Sequence, residues 1–145
     1  MRQAARFDIG FLDREGGMSV RLEVRPAPAS LVFMGMAILT SAGIANQFYL
    51  ARMAIFGGGV DWDVHRIVGS AIVLPILALL AQAFMSPRLI AVRELTAVLA
   101  TSYFLQIAVV VVGQEVDMPL VAALHPANGA LMFGISVRLA FRSLR

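Results

Sequence analysis

The chain has 145 residues, room for one domain, and its 59% hydrophobic and 14% charged residues lie well outside the roughly 45–50% and about 25% of soluble globular domains, which excludes an ordinary soluble fold and indicates a membrane protein. The net charge of +3 comes from 12 basic residues, all arginine, against 9 acidic ones; the arginines border apolar runs and form no aromatic-interleaved basic patch, so a nucleic-acid surface is excluded. The absence of cysteine excludes disulfides, thiolate metal sites, iron–sulfur clusters and covalent c-type haem attachment.

Residues 1–30 read as a cytoplasmic tail carrying five arginines and four acidic residues. Phe7, Ile9 and Phe11, then Val20, Leu22 and Val24, alternate with polar or small positions around Asp13-Arg14-Glu15-Gly16-Gly17, a pattern for a small hairpin held on the membrane surface or against a partner. Nothing here reads as a cleavable signal, and Met18 is an alternative start. Beyond Pro26 and Pro28, residues 31–145 read as a four-helix transmembrane domain, with spans at about 31–56, 64–85, 95–113 and 120–141. Each run is long enough for a hydrocarbon core about 30 Å thick. Gly57-Gly58-Gly59 ends the first, Pro75 predicts a kink in the second, Ser86-Pro87-Arg88 breaks the second from the third, and Gln114 to Pro119 forms an acidic turn before the fourth. The expected fold is all-α, an up-and-down four-helix bundle.

Charge gives the expected orientation. The tail, Arg88, Arg93, Arg138, Arg142 and Arg145 share one side, whereas the two short opposite turns hold Asp61, Asp63, Glu115 and Asp117 with no lysine or arginine. The positive-inside rule then puts both termini in the cytoplasm of a multi-pass protein of the cytoplasmic membrane.

His65 and His125, the only histidines, stand near the outer ends of the second and fourth spans, and each is followed four residues on by a glycine, Gly69 and Gly129. Positions i and i+4 share a helix face, so each imidazole stands over a face without a side chain, against which a flat macrocycle could lie. A weak repeat links the halves: Gln47 precedes His65 by eighteen residues and Gln106 precedes His125 by nineteen. Ionisable residues inside a membrane mark functional sites, and two imidazoles from facing helices have the geometry of axial haem ligands. Arg52 and Arg66 lie at the same level as candidate partners for the propionates. His125 is expected at the helix N-cap with Pro126 at the first helical position, and Asn128 or Gln106 as hydrogen-bonding support behind a ligating histidine.

For each residue a plainer role competes. A single interfacial histidine is most often a neutral ring donating to a backbone carbonyl, and Arg52 and Arg66 are equally suited to snorkelling. Asn46, Gln47, Tyr103, Gln106 and Asn128 suit hydrogen bonds between helices, Trp62 suits an interfacial anchor, and the eight methionines suit packing, with Met53 or Met118 weaker ligand candidates. There is no nucleophile with a base and no phosphate loop, so no catalytic constellation stands beyond the haem site.

The stretches Gln47-Phe48-Tyr49-Leu50-Ala51, His65-Arg66-Ile67-Val68-Gly69 and Leu124-His125-Pro126-Ala127-Asn128-Gly129 resemble a family of small four-helix membrane proteins of uncharacterised function. Residues 31–141 are also similar to one four-helix half of haem A synthase, whose second and fourth helices bring in a haem-binding histidine pair, and more distantly to the diheme cytochromes of the b561 type. The resemblance implies one haem b bound by His65 and His125. Two departures limit it: this chain has one such half, and Trp62 stands where the synthase pattern Glu-x-x-His-Arg has its acid, so synthase activity is not implied.

The functional expectation is a b-type cytochrome-like protein holding one haem near the outer face, for electron transfer or haem handling, in a bilayer beside other membrane subunits or as a homodimer. A quinone or an extracytoplasmic redox protein is the candidate electron partner. The alternatives are a cofactor-free accessory subunit of a membrane complex and a chlorin-binding subunit.

Overall fold

The computed structural model describes residues 28–143, which form helices α1 (Pro28–Ile55), α2 (Trp62–Ala71), α3 (Val73–Met85), α4 (Arg93–Glu115), α5 (Pro119–Ala122) and α6 (Leu124–Arg142), with a 3₁₀ helix over Pro87–Val92. The hairpin expected in the tail lies outside these residues. Four stretches are long and apolar enough to cross a membrane: Ser30–Ile55, Trp62–Met85, Pro87–Glu115 and Pro119–Arg142. The protein is therefore an all-α, four-span helical bundle, as its apolar runs require, since lipid offers no partner for an unpaired backbone group.

The spans are arranged in a ring. α1 packs against α6 and against α2 and α3; α4 packs against α3 and α6. The second and fourth spans are thus diagonal to one another. Each contributes one inward stripe at helical spacing: Phe33, Ala37, Thr40 and Ile44 from α1; Ile72, Ile76, Leu79 and Ala83 from the second span; Thr96, Leu99 and Tyr103 from α4; Met132, Ile135 and Leu139 from α6. Most other apolar side chains face outward, among them Ile38, Leu74, Phe104 and Phe141, as expected where the solvent is hydrocarbon. Because lipid is as apolar as the core, close packing rather than water exclusion holds the helices together. Small core residues serve this: Ser41 Oγ donates to Ser136 Oγ at 2.8 Å across α1 and α6, while Thr40 and Thr96 return their hydroxyls to Met36 O and Val92 O.

Two prolines divide two spans in the same way. The second span breaks at Ile72 and the fourth at Ala123, each three residues before a proline, Pro75 or Pro126. A proline lacks the N–H that would reach the fourth residue back, and its ring displaces that residue's carbonyl. The expected kink at Pro75 is therefore present. His125, expected at a helix N-cap, is instead the second residue of α6, with Ala123 at the cap position. The preference of a residue before proline for extended backbone is overridden because Pro126 falls in the first turn, where its missing N–H has no intrahelical role.

Polar groups serve the breaks and ends. The Tyr103 hydroxyl donates to Gly69 O and Ser70 O at 3.2 and 3.1 Å, tying α4 to the end of α2. Tyr103→Phe removes an interhelical hydrogen bond that is worth roughly 1 kcal/mol in a membrane protein, and reversible unfolding in mixed micelles should show a loss of that size with the helix content unchanged. Arg93, beyond marking charge asymmetry, donates to Ala83 O at 2.7 Å and Phe84 O at 3.1 Å, satisfying carbonyls at the C-terminus of α3. At the other end, Asp61 caps α2 by accepting from Asp63 N, and Gly57 and Gly59 take positive φ of 71° and 76° in the turn that delivers it.

Candidate functional site

The inward stripes are apolar over most of their length and polar at the α2 N-terminal end. Continuing α1 past Ile44 at helical spacing reaches Gln47; α4 reaches Gln106; α2 and α6 carry His65 and His125 in their first turns. All four side chains are half-buried. The diagonal placement of the second and fourth spans turns the two histidines toward the same space, with ring centres 6.2 Å apart and planes inclined by 58°.

That separation is longer than the roughly 5 Å of two imidazoles in direct hydrogen bond, with nitrogens about 3 Å apart, and lies within the roughly 4.5–7 Å of packed aromatic rings.

The second nitrogen of each ring is held by the protein. His125 Nδ1 lies 3.2 Å from Gln106 O; a backbone carbonyl only accepts, so this bond places the ring hydrogen on Nδ1 and leaves Nε2 with its lone pair. For His65 the partner is the Gln47 amide, whose nitrogen donates to His65 O at 2.9 Å and to Nδ1 at 3.2 Å while its oxygen accepts from Gly69 N at 3.1 Å. In that orientation the neutral His65 ring carries its hydrogen on Nε2. Turning the amide by half a rotation would set its oxygen against His65 O and its nitrogen against the Gly69 N–H, so these two neighbours fix the amide and keep the ring hydrogen on Nε2. The two rings are thus held by equivalent glutamines, through a side chain in one half and a main chain in the other.

Glycines at i+4 have a definite use here. A side chain at Gly69 would meet the Gln47 amide at 2.9 Å, and one at Gly129 would meet Gln106 Nε2 at 3.3 Å and Phe48 Cζ at 3.4 Å. The glutamine side chains therefore lie across the bare helix faces, which were expected to lie open to a macrocycle. Asn128 donates to Gln106 Oε1 at 2.6 Å and Ser102 O at 2.8 Å. It positions Gln106, not the imidazole of His125. Gln106 was expected as a candidate support for a histidine and Gln47 only as an interhelical bond; their similar spacing from the two histidines, eighteen and nineteen residues, is the signal that pairs each with one.

The arginines are arranged differently from expectation. Arg66 is exposed and forms an ion pair with Asp63, one helical turn earlier, and the Arg52 guanidinium stacks over the Phe56 ring, 3.2 Å from its centre. Neither is directed at the histidine pair by a bond to it. Trp62 packs edge-on against His65, with ring centres 5.5 Å apart and an interplanar angle of 81°, so it shields that imidazole as well as standing at the span end. Met53 lies against the Gly58 turn.

Among the described residues no three of His, Cys, Asp or Glu come together as a metal-binding group.

No curated protein and no solved structure matches the chain. The profile of a family of unknown function (DUF6220) matches residues 47–112, a stretch that begins at Gln47 and takes in His65, Gly69, Tyr103 and Gln106, so that this chain is similar to that family over the part of the site supplied by α1, α2 and α4.

Proposed function

We propose that His65 and His125 are the axial ligands of one haem b, and that the protein works in electron transfer or haem handling in the cytoplasmic membrane, beside a partner. The observation that carries this reading is the diagonal histidine pair with ring centres 6.2 Å apart. The donor set fits the group: only two protein ligands are present, both imidazoles, and His125 is held in the tautomer that presents Nε2. His65 is held by the Gln47 amide with its hydrogen on Nε2, so it presents that nitrogen only when the hydrogen moves to Nδ1 and the bond from Gln47 is given up. Gly69 and Gly129 accommodate the ring once the glutamine side chains, which are flexible at their far ends, swing off them. When bound, haem supplies one-electron chemistry at an iron with both axial positions filled, which favours electron transfer over oxygen activation. Trp62 and the exposed ion pair of Arg66 with Asp63 stand in the first turn of α2, beside His65.

The test is the spectrum of the protein purified with intact helices after haem supplementation: a Soret band with a sharp reduced α band is expected. A red chlorin band would transfer the site to a pigment. A colourless protein would leave the second reading, a cofactor-free subunit of a membrane complex, which is favoured by one observation: Gln47 and Gln106 with Phe48 already fill the faces at Gly69 and Gly129.

The same reading puts the histidines at the outer face, both termini in the cytoplasm, and a quinone or an extracytoplasmic redox protein within reach of the site. A reporter active only outside the cytoplasm should work when inserted at Gly58 and stay silent at the C-terminus. The opposite pattern would move the site to the cytoplasmic face.

A further inference from the structure

At the end of the bundle away from the histidines, α4 and α6 border a groove of about 630 Å³ lined by Glu94, Val98, Leu131, Gly134, Arg138 and Arg142 among others. Three features give it a chemical character. Arg138 and Arg142 are one helical turn apart, so their guanidinium groups share one face of α6, and both also border an adjoining hollow with Gly134, Val137 and Phe141. Glu94 faces them from the first turn of α4, yet among the described residues the only ion pair is that of Arg66 with Asp63, so neither arginine is neutralised by it. Below the charges, Val98 and Leu131 are exposed, 49% and 56% respectively, and a side chain at Gly134 would meet nothing within 4 Å. The groove is charged at its mouth and apolar with an unfilled notch along its wall.

We propose that this groove binds a phospholipid whose headgroup bears both a phosphodiester and a primary ammonium, the phosphate lying between Arg138 and Arg142, the ammonium on Glu94, and an acyl chain over Gly134 between Val98 and Leu131. Guanidinium matches phosphate oxygens in geometry as well as charge, and basic pockets between helices at the headgroup level are suited to lipid phosphates. Two arginines alone would favour an anionic lipid. The carboxylate opposite them adds a site for a cationic donor, and the pattern of two positive groups and one negative is complementary to ethanolamine phosphate. A choline headgroup keeps the positive charge but has no N–H to donate, and a glycerol headgroup has no positive charge. The occupant is therefore an aminophospholipid of the bilayer itself.

Native mass spectrometry of the full chain in detergent, titrated with phosphatidylethanolamine, phosphatidylcholine and phosphatidylglycerol of the same acyl composition, tests this. The ethanolamine lipid should be retained about threefold to fivefold better than either of the others, the size of a partly exposed ion pair. Glu94→Gln should remove that preference. Arg138→Gln and Arg142→Gln should each weaken all three lipids about fivefold, the effect of one basic residue at a membrane surface. Gly134→Leu should weaken all three without changing their order, and Arg88→Gln, a basic residue outside the groove, should change nothing. Equal retention of the three lipids, a preference for the glycerol lipid, or an effect of Arg88→Gln as large as that of the groove arginines would each overturn the proposal. Should an arginine variant fail to fold, the Glu94→Gln comparison still decides.

Discussion

His65→Ala and His125→Ala should each abolish the low-spin haem spectrum, leaving the protein without haem or with a five-coordinate iron, while far-UV circular dichroism reports the same helix content. Each imidazole enters from a different span, and the diagonal packing that brings the ring centres to 6.2 Å is set by core residues such as Leu79, Leu99 and Leu139 that the substitutions leave untouched. The supporting bonds predict a further asymmetry. His125 is oriented by the main-chain carbonyl of Gln106, which no side-chain change removes, whereas His65 is oriented by the Gln47 side chain. Gln47→Leu should therefore change haem affinity more than Gln106→Leu does, because only the first removes the bond that sets a histidine's tautomer. Met53→Leu and Met118→Leu should change little. Arg52→Gln and Arg66→Gln should shift the reduction potential and spare haem content, because both side chains are exposed at the span ends. Equal haem content in wild type, His65→Ala and His125→Ala would sink the ligand assignment.

The second large effect concerns stability. Gly113→Ala should destabilise the bundle by about 1–3 kcal/mol, the range for overpacking a tight interior, and Gly134→Ala should stabilise it by up to about 1 kcal/mol through helix propensity. The reason lies in what the new methyl meets. At Gly113 it would lie 2.8 Å from Ala122 N and 3.1 Å from Ala122 Cα, backbone atoms that move only if α5 is pushed away from α4. At Gly134 it enters open space. Gly69→Ala and Gly129→Ala should fall between the two, since the side chains they meet, Gln47 and Gln106 with Phe48, can shift at their ends. Thermal unfolding of the four variants in one detergent gives the order directly, and a Gly113→Ala variant as stable as wild type would refute the close approach of α5.

Local features of the sequence carry much of this architecture. Apolar runs long enough for a bilayer give the four spans, because a chain in lipid must satisfy its own backbone and can do so only as helices. Pro75 and Pro126 mark the helix breaks, since the loss of an N–H acts on a carbonyl only four residues away. The similar spacing of the two glutamines from the two histidines, eighteen and nineteen residues, also lies in the sequence. It points to two equivalent hairpins, because helical periodicity keeps such residues on one inward stripe.

What one helix presents to another is decided only by the assembled bundle. Periodicity gives the inward face of each span but not the order of spans around the ring, so the diagonal placement of His65 and His125, their separation and the nitrogen left free on each ring follow from tertiary packing alone. The same holds for the glycines: a missing side chain opens a notch, and whether a macrocycle, a glutamine or nothing fills it depends on the neighbouring helix, which supplies Gln47 at Gly69, Gln106 at Gly129 and no atom at Gly134. Charges behave alike. Arg66, Arg93 and Arg138 are indistinguishable as marks of polarity in the sequence, yet one pairs with Asp63, one caps α3 and one borders a groove, because a long flexible side chain takes its role from whichever carboxylate, carbonyl or empty space the fold brings within its reach.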